Sequence, residues 1–236
     1  MKSRTIIIAL FLTVTLTTLS ATHSPLAASN NIEPVPQATP IPMLAGTTQP
    51  INVSQGDQTN PHVACNIATY TDDDFQGNSV IKYFDFATNT EHVIPGNGLD
   101  RLSETDGRRI AFTRLEADGD HIVIYDIPSQ TTTVIPGNGN TDPVIGGNLV
   151  AFVHGIFSPV SIGEISVFDQ NTGNVTQLTN DTLPARSPSV SPDGNVVVWE
   201  KCQANGTGCD IYSATADQVI QLVNLDNGIK ADRDCQ

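Results

Sequence analysis

The sequence predicts an all-β protein, a β-propeller of four-stranded antiparallel blades, and three observations carry that expectation. The pair Phe84-Asp85 returns as Tyr125-Asp126 and Phe168-Asp169, and more loosely as Tyr212-Ser213, at spacings of 41, 43 and 44 residues. Ile94, Ile135, Leu178 and Leu222 repeat at the same three spacings. Ser187 to Val223 reads as four short strands in a row, with a hairpin signal at Asp193-Gly194, where glycine accepts the positive φ of a tight turn. Four strands per unit at a period of roughly 40 to 45 residues is the sequence signature of propeller blades. A single meander with apolar residues on both faces cannot fold alone, so the copies must stack on one another.

From the N-terminus, Lys2 and Arg4 precede an apolar, threonine-rich run from Ile6 to Leu19, with small residues at Ala21 and Ala27-Ala28-Ser29. This is the layout of a secretory signal, read as residues 1–28. The run is shorter than the ~20 apolar residues of a spanning helix, and no cysteine follows it to carry a lipid. No stable membrane span is expected once the signal is cleaved. Residues 29–50 hold Pro34, Pro36, Pro40, Pro42 and Pro50 and read as a polyproline-type linker.

Residues 51–236 form the expected propeller, with blades at about 60–95, 99–136, 141–179 and 187–223 and the start of an incomplete blade at 224–236. Ile51-Asn52-Val53 resembles the last strand of a blade whose other strands are absent. Second strands align as Ile67-Ala68-Thr69, Ile110-Ala111-Phe112, Val150-Ala151-Phe152 and Val197-Val198-Trp199. First strands open with Pro61, Pro143 and Pro188, while the second blade has lost its proline near Leu102. In each hairpin the aromatics of strands two and three are expected to face one another: Phe112 with Tyr125, Phe152 with Phe168, Trp199 with Tyr212. A terminal blade with no neighbour would expose an apolar face. Three assemblies remain open: a closed four-bladed ring, a truncated larger propeller, or an open array that self-associates with a second chain.

Four cysteines in a chain with an export pattern imply disulfides. If Trp199 opposes Tyr212, the same register sets Cys202 beside Cys209; Cys65 and Cys235 are a possible second pair. The formal charge of −14 excludes nucleic acid as a partner, because phosphates demand lysine and arginine. No catalytic motif is present, neither a nucleophile elbow, nor His-Glu-x-x-His, nor a phosphate-cradling loop. No cofactor is expected. His62, His92, His121 and His154 suit a metal only if they converge on the axis. Loops between strands two and three, and between blades, share one face of the array. They gather Asp72, Asp73, Asp74, Asp100, Glu116, Asp118, Asp120, Asp142 and Asp181 there, predicting a negative face that attracts a basic partner or weakly holds Ca²⁺. Of these, Asp72, Asp73, Asp74, Asp118 and Asp120 are the calcium candidates, and Glu116 with the apolar tip Ile156-Phe157 forms a candidate partner contact.

The run SPSVSPDG, then VVVWE, CDIYSA and VIQLV, with Gln177-Leu178-Thr179 in the preceding unit, resembles the WD-like propeller repeat of the TolB family. The resemblance covers about Asn60 to Val223. It implies a propeller and, commonly, a protein-binding role in the cell envelope. The N-terminal domain of TolB itself has no counterpart in this sequence. Taken together, the expectation is a secreted, periplasmic or cell-surface propeller that binds protein or glycan without catalysis. The alternatives are a propeller lyase or hydrolase with axial histidine and acidic residues, or a fragment of a larger propeller protein.

Overall fold

The structure is a computed structural model that describes residues 46, 48–155, 163–180, 182–205, 208–215 and 220–222, the last three by backbone alone. The described strands form four sheets of four, each ordered as it runs along the chain. Blade 1 holds β1 (Asp57–Ala64), β2 (Ile67–Asp73), β3 (Ser79–Asp85) and β4 (Thr90–Val93). Blade 2 holds β5 (Asp100–Thr105), β6 (Arg109–Glu116), β7 (Gly119–Asp126) and β8 (Thr131–Val134). Blade 3 holds β9 (Asn140–Gly146), β10 (Leu149–Gly155), β11 (Gly163–Asp169) and β12 (Asn174–Gln177). Blade 4 holds β13 (Ala185–Val190), β14 (Val196–Lys201), β15 (Asp210–Thr215) and β16 (Ile220–Leu222).

The recurring aromatic–aspartate pair has a physical basis. The aspartate ends the third strand and caps the turn that follows. Asp85 accepts from the Ala87 amide at 2.8 Å, Asp126 from the Ser129 amide at 3.0 Å and Asp169 from the Asn171 amide at 2.8 Å. Such side-chain caps give the turn backbone a partner that the sheet ladder does not supply. The aromatic beside it is buried, as at Phe84, Tyr125 and Phe168.

Three apolar seams hold the blades together. Ile67, Ile81, Tyr83 and Ile94 of blade 1 meet Ile110, Phe112, Val123 and Tyr125 of blade 2. The opposite face of blade 2, with Ala111, Ile122, Ile124 and Ile135, meets Ile145, Val150, Phe152 and Phe168 of blade 3. Blade 3 then turns Ala151, Val153, Ile165 and Val167 to Val197, Trp199 and Ala214 of blade 4. Each fully buried Ile, Val or Phe stabilises by about 1.5–3 kcal/mol, so the seams, not the separate sheets, carry the fold. Among the described residues no apolar cluster joins blade 4 to blade 1.

The register departs from the sequence alignment in several places. Ile67 pairs with Asp85, where blade 2 pairs Arg109 with Asp126; hence Ala68, not Ile67, is the counterpart of Ile110, and Tyr70 that of Phe112. A one-residue slip moves a side chain to the other face of its sheet. In blade 4 the counterpart of Phe168 is Ala214, because Val197 pairs with Ala214 as Val150 pairs with Phe168. Leu222 likewise pairs with Tyr212 where Gln177 pairs with Ser166. Of the expected aromatic pairs only Trp199–Tyr212 is directly opposed; Phe112 faces Val123 and Phe152 faces Ser166. Tyr125 and Phe168 are set two residues further along, opposite Ile110 and Val150.

The free face of blade 1 is polar where the inner seams are apolar. Lys82 stands at the place of Val123 and pairs with Asp72 at 2.6 Å and Glu91 at 3.1 Å. The Tyr70 hydroxyl donates to Glu91 at 2.5 Å and accepts from Asn52 at 3.1 Å. Ser54 and Gln58 donate to Asp72. Residues 51–54 thus lie against this face and form no strand, since Asn52 spends its side-chain oxygen on the Ser54 amide at 2.6 Å. Among the described residues no sheet covers this face, and its polar groups suit contact with water.

The innermost strands share one irregularity. In β1, β5, β9 and β13 the ladder shifts at a bulge, and the bulged residue has positive φ: Asn60 at 51°, Leu102 at 54°, Asp142 at 57° and Ser187 at 51°. Pro61, Pro143 and Pro188 follow it directly, so proline sits inside the strand and does not open it. Proline has no N–H to give the ladder, and a bulge on an edge strand is where a sheet tolerates it.

Candidate functional site

The bulged strands line a funnel of about 770 Å³ between the blades. A cavity of this size falls in the range of ligand sites, roughly 300–1,000 Å³. Two tiers of side chains project from equivalent positions. The bulge tier is Asn60, Leu102, Asp142 and Ser187; two residues along each strand, the second tier is His62, Glu104, Val144 and Ser189. Among the described residues the wall carries no Lys, Arg, Phe, Tyr or Trp side chain.

His62 and Glu104 form an ion pair across blades 1 and 2, with Nδ1 and Oε2 2.6 Å apart. The Glu104 hydrogen bond raises the His62 pKa above its ordinary 6.5, against a smaller opposing effect of burial. Asp142 of blade 3 lies within reach of both fields. Burial raises its pKa, the His62 charge lowers it, and Glu104 raises it further. Among the described residues its carboxylate has no hydrogen-bond partner.

Both groups hold protons more tightly when folded, which fixes the sign of a pH effect. The His62 contribution to stability is complete below pH 6.5 and is lost as pH rises through the raised folded value. Asp142 acts in the same direction, through the acid range above 3.8. Unfolding free energy of the wild type is expected to fall between pH 6 and pH 8 relative to His62→Gln. Urea titrations at the two pH values check this, and equal slopes for both proteins would contradict it.

The other histidines lie elsewhere. His92 stacks on Tyr83, with ring centroids 4.7 Å apart; His121 contacts Asp118 at 2.9 Å; His154 contacts Asn140 at 2.8 Å. Three carboxylates of the foreseen acidic face are paired with bases across the sheet. Asp100 pairs with Arg114, Asp120 with Arg101, and Asp72 with Lys82 on the free face of blade 1. Asp73 and Asp74 cap their own hairpin, accepting from the amides of Phe75 and Gln76. Asp142 belongs to the funnel. Glu116, Asp118 and His121 bring one ligand atom each within 4.8 Å of one another at an open hairpin tip, while Asp72, Asp73, Asp74 and Asp120 join no such group among the described residues. Ile156, Phe157 and Asp181 lie outside the described residues.

Cys202 and Cys209 form a disulfide at the mouth of the β14–β15 hairpin, continuing the Trp199–Tyr212 register. Cys65 is also disulfide-bonded; Cys235 lies outside the described residues. Among the described residues no helix is long and apolar enough to cross a membrane.

The bulge tier was not foreseen in the sequence. Its signal was Asn60-Pro61, Asp142-Pro143 and Ser187-Pro188: a short polar residue, of a kind that tolerates a turn-like backbone by bonding locally, set directly before proline.

Solved structures share this architecture. TolB from Acinetobacter baumannii superposes with a TM-score of 0.56 at 16% identity, over 73% of this chain and 44% of that one. The TolB-type protein from Agrobacterium tumefaciens gives 0.54 at 17%, over 66% and 60%. The fold is a β-propeller. An oligogalacturonate lyase in complex with manganese is similar to the same degree, with a TM-score of 0.54 at 17% identity over 73% of this chain and 54% of that one. These propellers thus include TolB proteins and a lyase, and at such identities the likeness is one of fold. The chain covers about half the length of the first two. No family model and no curated protein matches it.

Proposed function

We propose that this chain is an exported, non-enzymatic propeller that takes part of a protein partner into its axial funnel. The observation that carries the reading is the funnel wall, where among the described residues Asp142 has no hydrogen-bond partner beside the His62–Glu104 pair. A glycan is the weaker choice of ligand, because sugar faces stack on aromatic rings and the funnel offers none. Placement of His92, His121 and His154 away from the axis supports binding over a lyase centred on several histidines. The Lys2–Arg4 and Ile6–Leu19 pattern supports export, and a disulfide fits an oxidising compartment such as the periplasm or cell surface.

Ser189 lines the funnel with an exposed side chain, so Ser189→Trp should plug it without entering a seam. Chemical crosslinking in envelope and culture-supernatant fractions should recover a protein with the wild type and at least tenfold less with the plugged variant. Equal recovery by both, with unchanged thermal midpoints, would rule out the funnel as the binding site.

A further inference from the structure

We propose that the bulge tier of the funnel recognises a cationic side-chain head group, a lysine ammonium or an arginine guanidinium, presented by the docking protein. The inference rests on the funnel reading above and adds the chemistry of what enters.

Three features converge on a cation. Among the described residues the acidic groups on the wall are Glu104, Asp106 and Asp142, with no lysine or arginine. Two of the three are already matched, Glu104 by His62 and Asp106 by Arg109 at 2.5 Å. Asp142 alone is half-buried and without a hydrogen-bond partner among the described residues. The His62 charge that reaches it is shared with Glu104, so the group keeps a net negative charge partly withdrawn from water, which a cation supplied from outside offsets. Its burial-raised pKa agrees with this desolvation.

The position is also held, because Asp142 occupies a left-handed bulge with φ 57°, locked by the following Pro143. Asn60 of blade 1 and Ser187 of blade 4 hold the equivalent bulge positions and line the same cavity. An ammonium has three donors and a guanidinium five, so either can use side-chain oxygens beside the carboxylate. Leu102 closes the fourth side with an apolar surface against which the stem of a lysine or arginine can lie.

The test uses Asp142→Asn, which removes the charge while keeping a residue type that accepts positive φ. Blocked trilysine and triarginine peptides, acetylated at the N-terminus and amidated at the C-terminus, are titrated calorimetrically at about 0.15 M salt. A trilysine acetylated on every side chain serves as the uncharged probe. Asp210→Asn removes one exposed charge outside the funnel and reports general attraction to an acidic protein. The expected result is binding of the lysine or arginine peptide, the tighter of the two naming the head group. Affinity should be at least tenfold weaker in Asp142→Asn and within twofold of wild type in Asp210→Asn, with no binding of the acetylated probe.

Equal losses in the two variants, or no binding of either cationic peptide, would overturn the proposal. The crosslinked partner separates this from failure of the funnel reading. A partner lost in Ser189→Trp but retained by Asp142→Asn leaves the funnel as the docking site and removes the cation from it.

Discussion

Replacing Gly147 by alanine is expected to cost about 2–4 kcal/mol of folding stability, because two independent penalties coincide there. The residue has φ +51°, a backbone region that L side chains rarely adopt. An added Cβ would also stand 2.4 Å from the carbonyl oxygen of Asp193 and 2.7 Å from the amide of Gly194. Both are backbone atoms of the facing turn in blade 4, so no rotamer change relieves the contact. The same turn is tied by the Gly147 amide donating to the Pro192 carbonyl at 2.8 Å, and pushing the blades apart would break that bond too. Gly173 is the control. It has φ +73° with nothing within 4 Å of a built Cβ, so its alanine variant carries conformational strain alone, about 1 kcal/mol. Trp199, the sole tryptophan, is 1% exposed in the adjoining seam and reports unfolding by its emission. A Gly147→Ala midpoint no lower than that of Gly173→Ala would refute the close-approach argument.

The second large effect is expected at Asp100. Its carboxylate is fully buried and bound by both prongs of Arg114, Nε to Oδ1 at 2.7 Å and Nη2 to Oδ2 at 2.8 Å. Arg114 also donates to the Pro95 carbonyl, and its guanidinium lies 5.3 Å from the ring centre of Phe112. Removing one member of such a pair leaves the other charge desolvated, a loss of about 3–5 kcal/mol. Asp100→Ala should therefore unfold at markedly lower urea than wild type. Glu200→Gln, which breaks the exposed Arg186–Glu200 pair, should shift stability by less than about 1 kcal/mol. Comparable urea midpoints for the two variants would show that burial at Asp100 is unimportant.

Much of the architecture was legible because its signals are local and repeated. The Phe84, Tyr125 and Phe168 spacing survives because each aromatic is buried, the last two in a seam, and the aspartate after it caps a turn. The errors arose where one residue type imitates another. Ile67 looks like Ile110 yet occupies the place of Arg109, and Tyr212 looks like Phe168 yet sits at the place of Ser166. Only strand pairing separates such cases. The charge distribution was harder still. Sequence shows Asp72, Asp100 and Asp120 as a tally of carboxylates, but it does not show Lys82, Arg114 and Arg101 reaching them from neighbouring strands. The funnel depends on four residues some 40 positions apart, brought to one level only by the stacking of blades.

The kinks at Asn60, Leu102, Asp142 and Ser187 also bear on how such a protein avoids clumping. Each innermost strand leaves one row of main-chain N–H and C=O groups facing the axis with no ladder partner in its own sheet. A straight row of that kind invites a stray strand to zip alongside and seed fibrous aggregates. One residue out of step in the middle of every row breaks the even spacing such zipping requires. The axis is thereby kept for side-chain recognition, and a concentrated preparation should resist β-sheet polymerisation from its core.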